Sequence, residues 1–388
     1  SPLNKPEVDV NRTLLVTNDF PPVVGGIQSY LDDYTKRLDP TSLVVLASTP
    51  PEGMQVAKEY DATLPYKVVR VDTTMLLPTA NVRRRMQELI KTERIDTVWF
   101  GAAAPLGLMA KAAKEAGAKR VVATTHGHEI GWGKIPGARW ALRTIFKHSD
   151  VVTYISNYTL ERLRPHLASH NQLVQLPSGI DPARFEPGNE LTPMLRQRYR
   201  LGQSPTVVCI SRLVPRKGQD TLIKVWPRVV AAVPQARLVI VGKGPYAQDL
   251  AKARQRSSAC QAITLTGQIP YEELSAHVDM ADVFAMPCRT RWGGLDVEGL
   301  GIVYLEASAC AKPVIAGDSG GAPETVIEGV TGYVVGGRDE DALTNRLVEL
   351  LNSPQLRERM GAAGRSYMQQ EWTWPHLVER LEQALTLS

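Results

Sequence analysis

The chain has 388 residues, 43% of them apolar and 22% charged, with four cysteines and a net charge of +5. That length supports two or three domains with separate cores, and the composition excludes low-complexity and fibrous classes. No apolar run approaches the roughly 20 residues of a membrane span, and the mild charge and sparse aromatics give no nucleic-acid platform. Cys209, Cys260, Cys288 and Cys310 form no CxxC pair and read as reduced side chains. The stretch 1–12 lacks a charged-then-apolar leader pattern, so the expected location is cytoplasmic.

In chain order, Thr13–Thr17 is a short apolar run that ends in a loop carrying Gly25 and Gly26. Ile27, Leu31, Tyr34 and Leu38 then repeat at helical spacing, which makes strand, glycine loop, helix. Free N–H groups at such a helix start suit a phosphate or a hydroxyl, although glycines there are more often turn chemistry. Strand-like runs follow at Leu43–Ala47, 66–71, Thr97–Phe100, Arg120–Thr124, 151–155 and 172–176, mostly with helical patterns between them. A turn-rich stretch, 177–189, reads as a linker. A second series occupies 206–211, Arg237–Val241, 262–266, 282–286, 313–316 and 333–335, and the segment from 371 onward reads as a terminal helix. Strands alternating with helices predict an α/β chain of two Rossmann-like halves with parallel sheets, facing a cleft that takes ligands at the strands' carboxyl ends.

Five constellations carry chemistry. Glu298 and Glu306 stand eight residues apart, one before a helix predicted over 302–310 and one two turns inside it. The peptide N–H groups of Gly299, Leu300 and Gly301 precede that helix, and carboxylates accept hydroxyl hydrogen bonds, so a sugar or a ribose fits. On the loop after 206–211, Arg212 supplies a fork and Lys217 a point charge, a pair suited to a diphosphate. His126, His128 and Glu129 lie at a strand end without the second histidine of HExxH, and no Cys/His cluster supports a metal. Gly242 to Ala247 formally fits a dinucleotide fingerprint, but the next strand ends in Gly267, Gln268 and Ile269 with no acid for a ribose. Finally, two basic amphipathic helices carry Arg83, Arg84 and Arg85, and Arg139, Trp140 and Arg143, a pattern that suits either a solvated helix face or an anionic membrane surface.

Glu298-Gly-Leu-Gly-Ile, Glu306-Ala, Lys312-Pro-Val-Ile-Ala and Gly320-Gly-Ala-Pro-Glu, taken with Arg212, Lys217-Gly218 and His126, resemble the retaining, metal-independent GT-B glycosyltransferases of the group 1 type. The resemblance covers nearly the whole chain and is nearest to the phosphatidylinositol mannosyltransferases of the PimB type. It implies an acceptor-binding domain over 1–186, joined by a crossing helix at 371–388, and a donor-binding domain over 187–370. It gives Arg212 and Lys217 to the nucleotide diphosphate and the leaving-group charge, Glu298 and His126 to the transferred sugar, and the backbone of Gly299, Leu300, Gly301 and Ile302 to sugar and phosphate. Glu306 falls to the ribose, Gln268 and Ile269 to the nucleobase, and Gly25 and Gly26 to the region of diphosphate and acceptor. The implied reaction moves α-mannose from GDP-mannose to a phosphatidylinositol mannoside at the inner membrane face, with no cofactor, no metal and no nucleic-acid partner. The competing readings are a UDP-sugar-dependent enzyme with a soluble acceptor and an NAD-dependent oxidoreductase. Three features depart from the family: the loop between Pro287 and Glu298 is long and carries Arg289, Arg291 and Trp292, Leu300 replaces a common phenylalanine, and Pro177-Ser178-Gly179 replaces Pro-Asn-Gly.

Overall fold

The computed structural model describes residues 10–387, so the stretch read for a leader lies, through Asp9, outside the described residues. The chain forms two compact units, one ending at Ser178 and resuming at Leu377, the other spanning Gly179–His376. The sequence reading places these crossings later and earlier respectively, at 186 and 371.

The first unit holds a seven-stranded parallel sheet of β1 (Thr13–Thr17), β2 (Leu43–Ala47), β3 (Lys67–Arg70), β4 (Thr97–Phe100), β5 (Arg120–Thr124), β6 (Val151–Tyr154) and β7 (Gln172–Gln175), in the order β3-β2-β1-β4-β5-β6-β7. Its central strands β1, β2 and β4 are buried along their whole length, as a parallel sheet covered on both faces requires, while the edge strands β3 and β7 are partly exposed. Leu14, Val16, Val44 and Phe100 pack on one face against Met86 and Ile90 of the helix Ala80–Thr92. Ala123 and Val152, on the same face by the strand register, pack further along it against Leu142, Ile145 and Phe146 of the helix Pro136–Lys147.

The second unit repeats the plan with β8 (Thr206–Ile210), β9 (Arg237–Val241), β10 (Ile263–Leu265), β11 (Val283–Met286), β12 (Val314–Gly317) and β13 (Gly332–Val335), all parallel, in the order β10-β9-β8-β11-β12-β13. In each sheet the strand order reverses once, between β1 and β4 and between β8 and β11, and the loops that leave those strands diverge to opposite faces.

The expected terminal helix from 371 is corrected. Glu371 ends the helix Pro354–Glu371, and a new helix, Trp374–Leu385, follows. The break arises because Thr373 pairs with Ile180 in an isolated bridge, whose Ile180 N–H donates to the Trp372 carbonyl at 2.9 Å. Pro375 then favours a fresh first turn. The carbonyls at the far end of the last helix find partners in the first unit: Asn11 Nδ2 and Thr97 Oγ1 donate to Leu385 O, and Arg120 Nε donates to Ala384 O. Among the described residues no helix is long and apolar enough to cross a membrane.

Candidate active site

The order reversal between β8 and β11 places two loops together, 211–218 after β8 and 287–301 after β11. A cavity of about 480 Å³ opens between them, walled by Arg212, Arg216, Lys217, Asp296, Glu298 and Ile302. A second cavity of about 510 Å³ shares Ile210, Ser211 and Arg212 with the first and extends to Lys243, Gln268 and Ile269. The end of β8 therefore divides two adjoining spaces, one lined by opposed charges and one largely apolar.

Glu298 is the buried centre of the first. Lys217 Nζ donates to both of its carboxylate oxygens, at 2.9 and 2.7 Å, and Arg216 Nε stands 3.4 Å from Oε2. Its main chain is fixed as firmly: the N–H donates to Ser319 Oγ at 3.0 Å, and its carbonyl accepts from Gly321 N–H at 3.1 Å. Gly320 lies so close that a Cβ there would stand 1.8 Å from the Glu298 carbonyl oxygen, and its φ of +55° is itself adverse for an L side chain. Gly320→Ala is accordingly expected to destabilise the protein by about 2–4 kcal/mol in denaturant titration; wild-type stability would mean that this contact does not constrain Glu298. Gly301, with φ +83°, then turns the chain into the helix Ile302–Ala309. Tyr304 anchors that helix by donating its hydroxyl to the Met286 carbonyl at the end of β11.

The two cations expected to serve one diphosphate differ in state. Arg212 is exposed and forms no ion pair among the described residues, whereas Lys217 is committed to Glu298. Gln219, fully buried, holds the Arg212 turn by donating Nε2 to Ser211 Oγ at 2.8 Å and to the Arg212 carbonyl at 3.1 Å. Glu306, on the same helix as Ile302, lies outside both cavity walls as they stand. Burial pushes its carboxyl up to about 7, against a weaker opposing pull from Arg184. Gln268 is exposed and Ile269 half-buried on the wall of the second cavity, whereas Gly299 is exposed and Leu300 buried beside Glu298. The fingerprint glycines have a packing explanation. A Cβ at Gly242 would stand 2.0 Å from the Ser211 carbonyl oxygen, and one at Gly244 2.3 Å from that of Leu213.

In the first unit, Gly25 is extended and precedes the helix Gly26–Thr35. His126, after β5, brings Nε2 to 2.7 Å from the Gly101 carbonyl at the end of β4, which assigns the ring proton to Nε2 and leaves Nδ1 an acceptor. Burial lowers its basicity below the usual imidazole range. Glu129 proves to be a fully buried loop anchor, accepting from the N–H groups of His126 and Gly127. Arg83, Arg84 and Arg85 are exposed on the first basic helix. On the second, Trp140 is 68% exposed and Arg143 exposed, while Arg139 donates Nε to the Gly133 carbonyl. Among the described residues no group of three or more His, Cys, Asp or Glu side chains is placed to hold a metal.

Sequence reading overlooked Arg216, Asp296 and Gln219, and weighed Glu129 only as a metal ligand. Gln219 and Glu129 each begin a helix, Arg216 sits in a single 3-10 turn and Asp296 in a loop, so no run of periodic spacing marks them. Arg216 was visible as a basic neighbour of Lys217, and Asp296 as an acid two residues before Glu298.

The fold is GT-B. It is similar to the Anabaena Alr3699/HepE structure in complex with UDP, at a TM-score of 0.76 and 19% identity over 96% of this chain and 99% of that one. It is also similar to sucrose-phosphate synthase from Thermosynechococcus elongatus, at a TM-score of 0.68 and 21% identity over 96% and 98%. The family "Glycosyl transferases group 1" matches residues 193–367, and "Glycosyltransferase Family 4" matches residues 24–184. A "GDP-mannose-dependent monoacylated alpha-(1-6)-phosphatidylinositol monomannoside mannosyltransferase" of Corynebacterium glutamicum is 52% identical over 96% of this chain and 97% of its own. A "GDP-mannose-dependent alpha-(1-6)-phosphatidylinositol monomannoside mannosyltransferase" of Mycolicibacterium smegmatis is 50% identical over 96% and 98%. The chain belongs to the group 1 glycosyltransferases and is an enzyme of that class.

Proposed function

We propose that the protein transfers α-mannose, with retention, from GDP-mannose to a phosphatidylinositol mannoside, working from the inner face of the cell membrane. The observation that carries the donor and acceptor is the identity of about half of all positions, over 96% of the chain, to mannosyltransferases named for both. The cavity chemistry agrees: Arg212 and Lys217 suit a diphosphate, and Glu298 is a buried acceptor for sugar hydroxyls. In the proposed reaction the bond from sugar C1 to the diphosphate breaks, and an acceptor hydroxyl oxygen bonds to C1 on the same face. That hydroxyl's proton leaves with a phosphate oxygen, so no protein nucleophile and no metal is needed. The enzyme contributes position and fixed charge: Arg212 and Lys217 on the departing diphosphate, Glu298 and His126 on the sugar, the 299–302 backbone on sugar and phosphate. Glu306 serves the ribose, Gln268 and Ile269 the base, and Gly25 and Gly26 the diphosphate and acceptor. The exposed arginines 83–85 and Arg143, with Trp140, suit an anionic lipid surface.

Calorimetry with GDP-mannose, UDP-glucose and NAD, each with and without Mg²⁺, tests this. The expected result is metal-independent binding of GDP-mannose in preference to the other two, followed by transfer to mannolipid with the anomer retained. In the same preparation, the protein is expected to float with phosphatidylinositol-containing vesicles and not with neutral ones. Preference for UDP-glucose, a Mg²⁺ requirement or an inverted anomer overturns the corresponding part of the proposal.

A further inference from the structure

Arg216 and Asp296 stand in the wall of the charged cavity without an assigned role. Arg216 is tied at both ends: its carbonyl accepts from Arg289 N–H at 2.8 Å, and its Nη1 donates to Asp296 Oδ1 at 2.9 Å. Asp296 is itself held where the loop folds back on itself. The Arg291 and Asp296 main chains exchange hydrogen bonds at 2.9 and 3.2 Å across a turn in which Trp292, Gly293 and Gly294 all have positive φ. Arg291 adds its guanidinium 3.5 Å from the second Asp296 oxygen. Arg216 Nε is a buried N–H with no hydrogen-bond acceptor among the described residues, 3.4 Å from Oε2 of Glu298 but out of line with it.

An unsatisfied buried donor on a charged group is costly unless another state uses it. Lys217 supplies that state. Its ammonium has three N–H donors, and two are spent on the oxygens of Glu298. A diphosphate bound at Lys217 competes for those donors with stronger charge. Glu298, nearly enclosed, would then be left as a bare carboxylate among few other donors.

We propose that Arg216 and Asp296 are positioning residues for Glu298: Asp296 fixes Arg216 so that its Nε takes over the Glu298 carboxylate when Lys217 turns to the donor's diphosphate. This rests on the donor assignment proposed above. A turn of the guanidinium that brings the N–H into line with Oε2 completes the hydrogen bond. The exchange keeps Glu298 ionised and oriented while its outer lone pairs accept sugar hydroxyls. Arg216 acts through Glu298 and Asp296 through Arg216.

The test is Arg216→Ala, Arg216→Lys and Asp296→Asn in the full-length enzyme, each measured for GDP affinity by calorimetry and for kcat with GDP-mannose and mannolipid. GDP carries the nucleoside and the diphosphate without the sugar, so its binding turns Lys217 to the phosphates and makes no direct use of Glu298. The expected result is a kcat and a GDP affinity each at least tenfold lower for Arg216→Ala and Asp296→Asn. Because glutamine removes the stranded carboxylate, the double variant Arg216→Ala/Glu298→Gln is expected to keep a GDP affinity within threefold of wild type. Arg216→Lys is expected to recover little, because an ammonium cannot hold Asp296 and Glu298 in one plane. Unchanged kcat in Arg216→Ala overturns the proposal, as does a loss of GDP affinity that Glu298→Gln does not restore, which would make the pair a structural brace of the loop. A wild-type enzyme that binds no GDP and transfers no mannose overturns the donor assignment and this proposal with it.

Discussion

Lys217→Ala is expected to lower kcat for sugar transfer by about 10²–10³-fold and also to destabilise the fold, a combination most active-site substitutions do not give. The kinetic part follows from removing a fixed positive charge from the site where negative charge develops on the leaving diphosphate. The stability part follows from Glu298. Its carboxylate is buried and draws both of its closest donors from Lys217. Removing one member of a buried pair costs about 3–5 kcal/mol; Arg216 remains within 3.4 Å, so the expected loss is about 2–3 kcal/mol. Adding Glu298→Gln to Lys217→Ala removes the stranded charge. The double variant is expected to regain most of the stability, read by denaturant titration, and none of the activity. A double variant no more stable than the single one would mean that the ion pair does not govern this part of the fold.

Glu306→Gln is expected to strengthen the fold while weakening donor binding. Burial raises the folded-state carboxyl from its ordinary 4.5 to about 7. Between those values the unfolded chain binds fewer protons than the folded one, so stability falls as pH rises from 4.5 towards 7 and is level above. At pH 8 the full penalty is present. It is on the order of 2 kcal/mol once partial solvent access is allowed for, and glutamine removes it. The proposed role needs the ionised form, which accepts both ribose hydroxyls. Wild-type affinity for GDP-mannose is therefore expected to fall about tenfold between pH 8 and pH 6, following the protonated fraction. The sugar ester of the diphosphate has no proton of its own to exchange in that range, so the titration reports on the protein. Glu306→Gln is expected to bind at least tenfold more weakly at pH 8 and to show no such pH dependence. A flat wild-type profile would remove Glu306 from donor binding, and a variant less stable than wild type at pH 8 would contradict the buried charge.

A residue that weakens the fold where it sits needs a reason to be there, and a ligand that uses its charge is the physical reason offered. Lys217 and Glu298 show the complementary arrangement, two charges that satisfy one another until a stronger anion arrives. Both cases place the site's chemistry in charges held out of water, where each interaction is stronger than at the surface.

The alternation of apolar strands with helical patterns was enough to predict two doubly wound halves. Each of the thirteen strands among the described residues lies within a residue or so of its predicted position, because buried parallel strands are short, continuous apolar runs bounded by turn residues. The motif residues Arg212, Lys217 and Glu298 were likewise legible, since they belong to loops that follow identifiable strands. Only the tertiary structure decided what those residues do to one another. Eighty-one positions separate Lys217 from Glu298, and they meet because the sheet order sets β8 beside β11. Arg216 and Asp296 stand in the sequence as charges beside motif residues, but nothing local shows that they pair, since a loop has no repeat to disclose which way a side chain points. The end of the helix Pro354–Glu371 depended on a bridge to Ile180, far away in sequence. Local pattern specifies which segments become strands and helices because it acts within a few residues. The pairing of charges at the site is set by which strands adjoin, and that is a property of the whole sheet.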